Sequence, residues 1–179
     1  AIIERKLKDC YAKSLSQKQV AAIRYKEGVY LEFSGASEHD LAIKSLENRT
    51  QGIRLLNVHE DTDSNTVKAT VYIPAGKENY FLKKVEAYAT EQTKTGKPKN
   101  NDLVRSIEDV KLAILESFWV GSPTTMPSEQ PIWCELWLRF DYESENPNSW
   151  AGVEENVTSI CRAENIPIDE KHIVFPERI

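Results

Sequence analysis

The first eighteen residues place apolar side chains at Ile3, Leu7, Cys10 or Tyr11, and Leu15, with Lys and Glu between them. That spacing lines one side of a helix, so Ile2 to Gln19 is expected to be amphipathic and helical. It makes residues 1–27 a lead-in helix ahead of any sheet. Gly28 then opens Val29-Tyr30-Leu31-Glu32-Phe33, where Val29, Leu31 and Phe33 alternate with Tyr30 and Glu32. Successive strand side chains point to opposite faces, which predicts a first strand, stopped by Ser34-Gly35. Ser37 suits an N-cap and Gly52 the position just past a helix, so Leu41, Leu46 and their neighbours are expected to form a helix between them. Ile53 to Val58 is a second strand and Val67 to Ile73 a third, with Val67, Ala69, Val71 and Ile73 sharing a face. The polar run Asp61-Thr62-Asp63-Ser64-Asn65 joins them as a hairpin turn. After Pro74-Ala75-Gly76, the residues Tyr80 or Phe81, Val85 and Tyr88 form the buried stripe of the next helix.

Strand, helix, strand, strand, helix is the opening of a ferredoxin-like βαββαβ unit, which needs one more strand. The expected fold class is therefore α+β: a ferredoxin-like antiparallel sheet with helices on one face, spanning residues 28–120. Thr93 to Asn101 is a polar, basic loop. Beyond it Leu103, Ile107, Val110, Ile114 and Phe118 fit a helix, while Val110, Leu112 and Ile114 also fit a strand. Helix propensity favours the first pattern and the incomplete sheet the second. The two combine as a short helix capped at Asn101 followed by a strand from about Val110 to Leu115.

Three prolines and no periodic pattern mark 121–131 as a linker. Ile132 to Phe140 then alternates cleanly: Cys134, Leu136, Leu138 and Phe140 fall on one side, Trp133, Glu135, Trp137 and Arg139 on the other. This predicts a strand with one aliphatic and one aromatic, charged face. Trp and Arg are enriched where proteins meet partners, which makes Trp133, Glu135, Trp137 and Arg139 the candidate partner-binding residues; burial of that face beneath helices is the competing reading. Ser149 caps a helix carrying Trp150, Val153, Val157, Ile160 and Cys161, and Lys171 to Phe175 reads as a last strand. Residues 132–179 thus form a further βαβ segment. Such a segment cannot close a sheet alone, so it completes the first sheet or the natural chain continues beyond Ile179.

Of the 179 residues 40% are hydrophobic and 28% charged, enough to bury a core and too apolar for disorder. The net charge of −5 gives no global field favouring nucleic acid or an anionic membrane. No apolar run approaches the roughly 18 residues that span a bilayer. Ala-Ile-Ile-Glu-Arg-Lys lacks the apolar core of a secretion signal, and the absence of an initiating Met is expected of a processed or excised polypeptide. The three cysteines Cys10, Cys134 and Cys161 are odd in number and widely spaced, and Cys134 and Cys161 sit on apolar faces and read as buried free thiols of a reducing cytoplasm.

No catalytic constellation emerges. His39, His59 and His172 lack metal-ligand spacing, and no nucleophile elbow, P-loop or dinucleotide-binding glycine motif occurs. Neither a metal nor a cofactor is expected. Lys94, Lys97 and Lys99 flank Gly96 and Pro98 in a loop that could clamp an anion but reads first as solvated.

Several short segments follow one another in a familiar order. They are Gly28-Val-Tyr-Leu-Glu-Phe33, Lys44-Ser-Leu-Glu-Asn-Arg49, Gly52-Ile-Arg-Leu-Leu-Asn-Val58, Ala69-Thr-Val-Tyr-Ile-Pro74 and Phe81-Leu-Lys-Lys84. Gly96-Lys-Pro-Lys-Asn100, Ser106-Ile-Glu-Asp109 and Trp133-Cys-Glu-Leu-Trp-Leu-Arg139 continue the series. Together they resemble the N-terminal region of a group of large bacterial subtilisin-like serine peptidases. The resemblance implies that the catalytic Asp, His and Ser lie in a downstream domain; neither an Asp-Ser/Thr-Gly nor a Gly-Thr-Ser-Met-Ala motif occurs in this chain. It further implies a ferredoxin-like, propeptide-like fold and a role as folding aid, inhibitor or substrate gate. The implied partner is the catalytic domain of the same polypeptide, with a partner ATPase suggested by some relatives.

Overall fold

The computed structural model describes residues 2–18, 28–36, 41–61, 64–119, 121, 123–128, 132–138 and 150–169. The chain divides into two compact units, 1–126 and 127–179. Among the described residues no helix is long and apolar enough to cross a membrane.

The first unit is an α+β domain. In chain order it contains α1 (Ile2–Lys18), β1 (Gly28–Ala36), β2 (Arg54–Asp61), β3 (Thr66–Pro74), α2 (Asn79–Thr90), α3 (Asn101–Ser106), β4 (Asp109–Leu112) and α4 (Leu115–Phe118). Its four strands form an open sheet in the order β2-β3-β1-β4. Every neighbouring pair is antiparallel. The alternation in β1 and β3 sets the register: Leu31 lies between Val71 and Leu112, and Phe33 between Ala69 and Val110. These residues put all their apolar side chains on one face. Helices α1, α2 and α3 cover that face through Leu7, Cys10, Tyr11, Phe81, Val85 and Leu103. Phe33 and Phe81 meet at its centre, ring centroids 5.0 Å apart. Helix α1 is therefore part of the core rather than a lead-in. Its buried stripe runs through Leu7, Cys10, Tyr11 and Ser14, and Leu15 faces outward. Lys6 on α1 also donates to the Asp109 carboxylate at the start of β4.

The hairpin of β2 and β3 forms as expected, with Asn65 in the left-handed conformation at its turn. Asp61 closes it by accepting from the Ser64 N–H at 3.2 Å and from Lys68 at 3.3 Å. Hydrogen bonds from Ser64 and then Lys68 hold its carboxyl down at about 2.

Three expectations change. Residues 37–40 lie outside the described residues, and 41–52 form no α-helix: two 3-10 turns, Ile43–Ser45 and Arg49–Gln51, take its place. Leu41 and Leu46 are both buried, but five residues apart they do not make a helical stripe. Asn48 competes with a helix locally, since its side-chain oxygen accepts from the Gln51 N–H and the Thr50 hydroxyl. Gly52 is left-handed, as expected of a terminating glycine, but it ends a 3-10 turn. Second, the short helix after the basic loop begins at Asn101, with a left-handed Asn100 preceding it and no side-chain cap. Third, the strand expected from about Val110 to Leu115 forms as β4 and completes the sheet but ends at Leu112, and α4 lies on the face opposite the other helices, so the helices are not confined to one face.

In the second unit the described structure is α5 (Trp150–Ala163) and the stretch 132–138. A left-handed Asn165 ends α5, with the Ile166 N–H reaching back to the Cys161 carbonyl at 2.8 Å. Residues 132–138 form no strand. Alternation specifies which side chains share a face, but a strand exists only where a second main chain supplies the ladder. Among the described residues none does so here. The expected strand at Lys171–Phe175 and the cap at Ser149 fall outside the described residues.

Candidate functional site

Trp133 and Trp137 are 73% and 53% exposed, and Glu135 between them is exposed as well. Arg139 lies outside the described residues. Among the described residues nothing buries either tryptophan in a core. The opposite side of the stretch is no more covered: Leu136 is 63% exposed and Cys134 is also at the surface. Ile132 adds another exposed apolar side chain. Cys134 and the half-buried Cys161 therefore depart from the buried thiols expected. Cys10 is buried on the inner side of α1, which pushes its thiol pKa up and leaves it a poor nucleophile.

The other feature is the second face of the sheet. Tyr30, Glu32, Asn57, Thr70, Tyr72 and Lys111 occupy the register positions opposite the core. The chain leaving β4 folds back across them. The Ala113 N–H donates to the Tyr30 carbonyl, and the Ser117 carbonyl accepts from the Thr70 hydroxyl at 2.8 Å and the Asn57 amide at 3.2 Å. The Phe118 ring meets Tyr30 edge-on, centroids 5.8 Å apart, and Tyr30 packs on Tyr72 at 5.1 Å. This strap buries Glu32, whose carboxylate is paired with Lys111 at 3.1 Å. Its own Ile114, Leu115 and Phe118 remain exposed. The apolar spacing of Ile114 and Phe118 was visible in the sequence; that they cross a polar sheet face was not.

A cleft of about 480 Å³ opens where α1 passes the start of α2, lined by Lys8, Tyr11, Ser14, Glu78, Asn79 and Leu82 among others. The volume lies within the roughly 300–1,000 Å³ of small-molecule sites. The Tyr11 hydroxyl, however, is buried without a hydrogen-bond partner. Burial and the neighbouring Glu78 charge raise its pKa, so it is no acid or base near neutrality. Leaving a buried hydroxyl unsatisfied costs about 1–3 kcal/mol. Tyr11→Phe is accordingly expected to leave stability unchanged or raise it by up to about 1 kcal/mol, read from urea unfolding. A loss larger than that would mean the hydroxyl has a partner.

The remaining candidates are dispersed. His59 sits on β2 opposite Lys68, and His39 and His172 lie outside the described residues. Lys94 and Lys97 are exposed on a tight turn closed by the Thr93 and Gly96 N–H groups, and Lys99 is paired with Glu91 at 2.6 Å. Among the described residues no three His, Cys, Asp or Glu side chains cluster as a metal site would require. No protein-family model, no curated protein and no solved structure matches the chain.

Proposed function

We propose that this chain is a non-catalytic N-terminal domain of a subtilisin-like serine peptidase. It is built on a ferredoxin-like sheet and acts as folding aid, inhibitor or substrate gate for the catalytic domain of the same polypeptide. The observation that carries the reading is the strand order β2-β3-β1-β4 with every neighbour antiparallel. That is the order of the split βαβ arrangement, in which each crossover skips one strand. It occurs within the stretch that bears the ordered resemblance to such peptidases. The chain departs from the simplest form in two ways: 3-10 turns stand in the first crossover, and α1 precedes the unit. Trp133, Glu135, Trp137 and Arg139 are the proposed partner-binding residues, supported by the exposure of the two tryptophans. A cytoplasmic location and a partner ATPase belong to the same proposal.

The test is to refold the catalytic domain encoded downstream with and without this chain. The expected result is a changed refolding yield or a changed peptidase rate. Trp137→Ala should shift unfolding by no more than about 0.5 kcal/mol, as surface substitutions do, while weakening that effect. No change in yield or rate on adding the chain removes the peptidase reading. It leaves a stand-alone ferredoxin-like module that binds a protein or small ligand, which the exposed aromatic stretch favours independently.

A further inference from the structure

We infer that the cleft between α1 and the start of α2 is a binding site for a small uncharged molecule that carries a hydroxyl on an apolar ring, a phenol or a ring alcohol. The site lies within the first unit and does not depend on the peptidase reading. Two observations carry it: a cleft of about 480 Å³, and a tyrosine on its wall whose buried hydroxyl has no hydrogen-bond partner. The ring of Tyr11 is accounted for, since the residue is 8% exposed and belongs to the core cluster with Leu7 and Cys10. Its oxygen is not. A buried hydroxyl without a partner is a cost that phenylalanine at the same place would avoid. Such groups are few in a folded protein, and one on the wall of a cleft can pair with what enters. Ser14, three residues on and so on the same side of α1, adds a second buried polar residue. Val29 on β1 and Leu82 on α2 supply apolar lining. A few polar groups set in an apolar wall is the composition of a small-molecule site.

The charges around the cleft select the class of ligand. Lys8 is tied to Glu4 at 2.6 Å. Glu78 stands at the start of α2, where its carboxylate accepts from the Gly76 N–H at 3.1 Å and offsets the partial positive charge of the helix end. An anion entering the cleft would meet Glu78; a cation would meet Lys8 and the helix end. Neither sign is favoured, which leaves a neutral molecule. Glu78 is also near enough to Tyr11 for its charge to push the hydroxyl pKa further up. A ligand hydroxyl between the two accepts from the Tyr11 O–H and donates to the Glu78 carboxylate, which keeps acceptor capacity beyond its bond to Gly76. A plain hydrocarbon does neither.

The test is a titration of the full 179-residue chain, isotope-labelled for amide chemical shifts, with phenol, benzene, benzoate and benzylamine. Phenol is expected to bind with a dissociation constant of about 1 mM and to move the amides of Lys8 to Leu15 and of Glu78 to Leu82. Benzene, benzoate and benzylamine are each expected to bind at least about fivefold more weakly. Tyr11→Phe keeps the ring and removes only the hydroxyl. It should weaken phenol binding by roughly three- to tenfold and leave benzene binding unchanged. Three outcomes overturn the inference: no shifts confined to these segments up to about 20 mM phenol, benzene or either ion binding as tightly as phenol, or Tyr11→Phe binding phenol as tightly as wild type. The comparison of probes uses the wild type alone and so stands whatever the variant does. Each outcome leaves the peptidase reading untouched, because that is judged by refolding yield and rate.

Discussion

Phe33→Ala is expected to cost about 3–5 kcal/mol of stability, the range for a large aromatic truncated in a core. Phe33 is fully buried, sits on the central strand between Ala69 and Val110, and packs against Phe81. Both strand neighbours and the helix layer are fixed by the ladder and by the other buried side chains, so little of the space left can collapse. With a domain's total stability near 5–15 kcal/mol, a loss of this size removes from about a fifth to all of the first unit's stability. Urea unfolding followed by far-UV circular dichroism measures it. Because the chain has two compact units, the transition of the sheet-bearing unit must be resolved from any other. A loss below about 1 kcal/mol would mean that the core is not centred on Phe33. Trp133→Ala is the natural control: a larger side chain, mostly in water, whose loss removes little buried area.

That contrast also marks what the sequence could and could not convey. Phe33 was legible because a buried strand face leaves a period-two record, and β1 and β3 carry it in full through Val29, Leu31, Phe33, Ala69, Val71 and Ile73. Phe81 and Val85 were legible for the same reason at helical spacing. The stretch 132–138 carries the same record without forming a strand, because period two describes side chains and says nothing about where the second main chain is. Residues 41–52 failed differently. Two buried leucines and a terminating glycine suggested a helix, but Asn48 offers its neighbours side-chain hydrogen bonds that a helix would forgo. The polar face was hidden for a third reason. Glu32 alternates with apolar neighbours and so reads as solvent-facing, yet it is buried, because the strap through Ser117 crosses the sheet and Lys111 neutralises it. Local pattern cannot contain a contact made by chain some eighty residues further on.

The partner-binding candidates were legible as residue types, and for Trp133, Glu135 and Trp137 the exposure came from the structure. The proposed site therefore depends on a property opposite to that of the core. The first unit's strength lies in a fixed register around Phe33, whereas the second unit keeps large apolar side chains in water. The exposure of Trp133 and Trp137, 73% and 53%, is what the proposed partner-binding reading needs.

Gly35→Ala is expected to be the most damaging of the small substitutions, at about 3 kcal/mol, the upper end for overpacking a tight site. Gly35 needs no special backbone conformation; the cost arises from collision. A Cβ there would stand 2.1 Å from the Ser106 carbonyl oxygen and 3.4 Å from the Leu41 side chain. The nearer atom is main chain at the end of α3, so no rotamer change relieves it. Nor is the end of α3 free to withdraw. The Ser106 hydroxyl donates to the Leu103 carbonyl at 2.9 Å and accepts from the Ala42 N–H at 3.0 Å. The Glu108 N–H donates to the Ser34 carbonyl at 2.8 Å, one residue from the collision. Moving α3 by the ångström needed would break these bonds and draw β4 away from β1, to which it is tied only from Asp109 to Leu112. Hydrogen exchange should therefore show the loss first in the β4 amides, with β2 and β3 protected longer, and urea unfolding should give the total. A Gly35→Ala protein as stable as wild type, with unchanged β4 protection, would mean that the closing strand of the sheet is not held against β1 in this way.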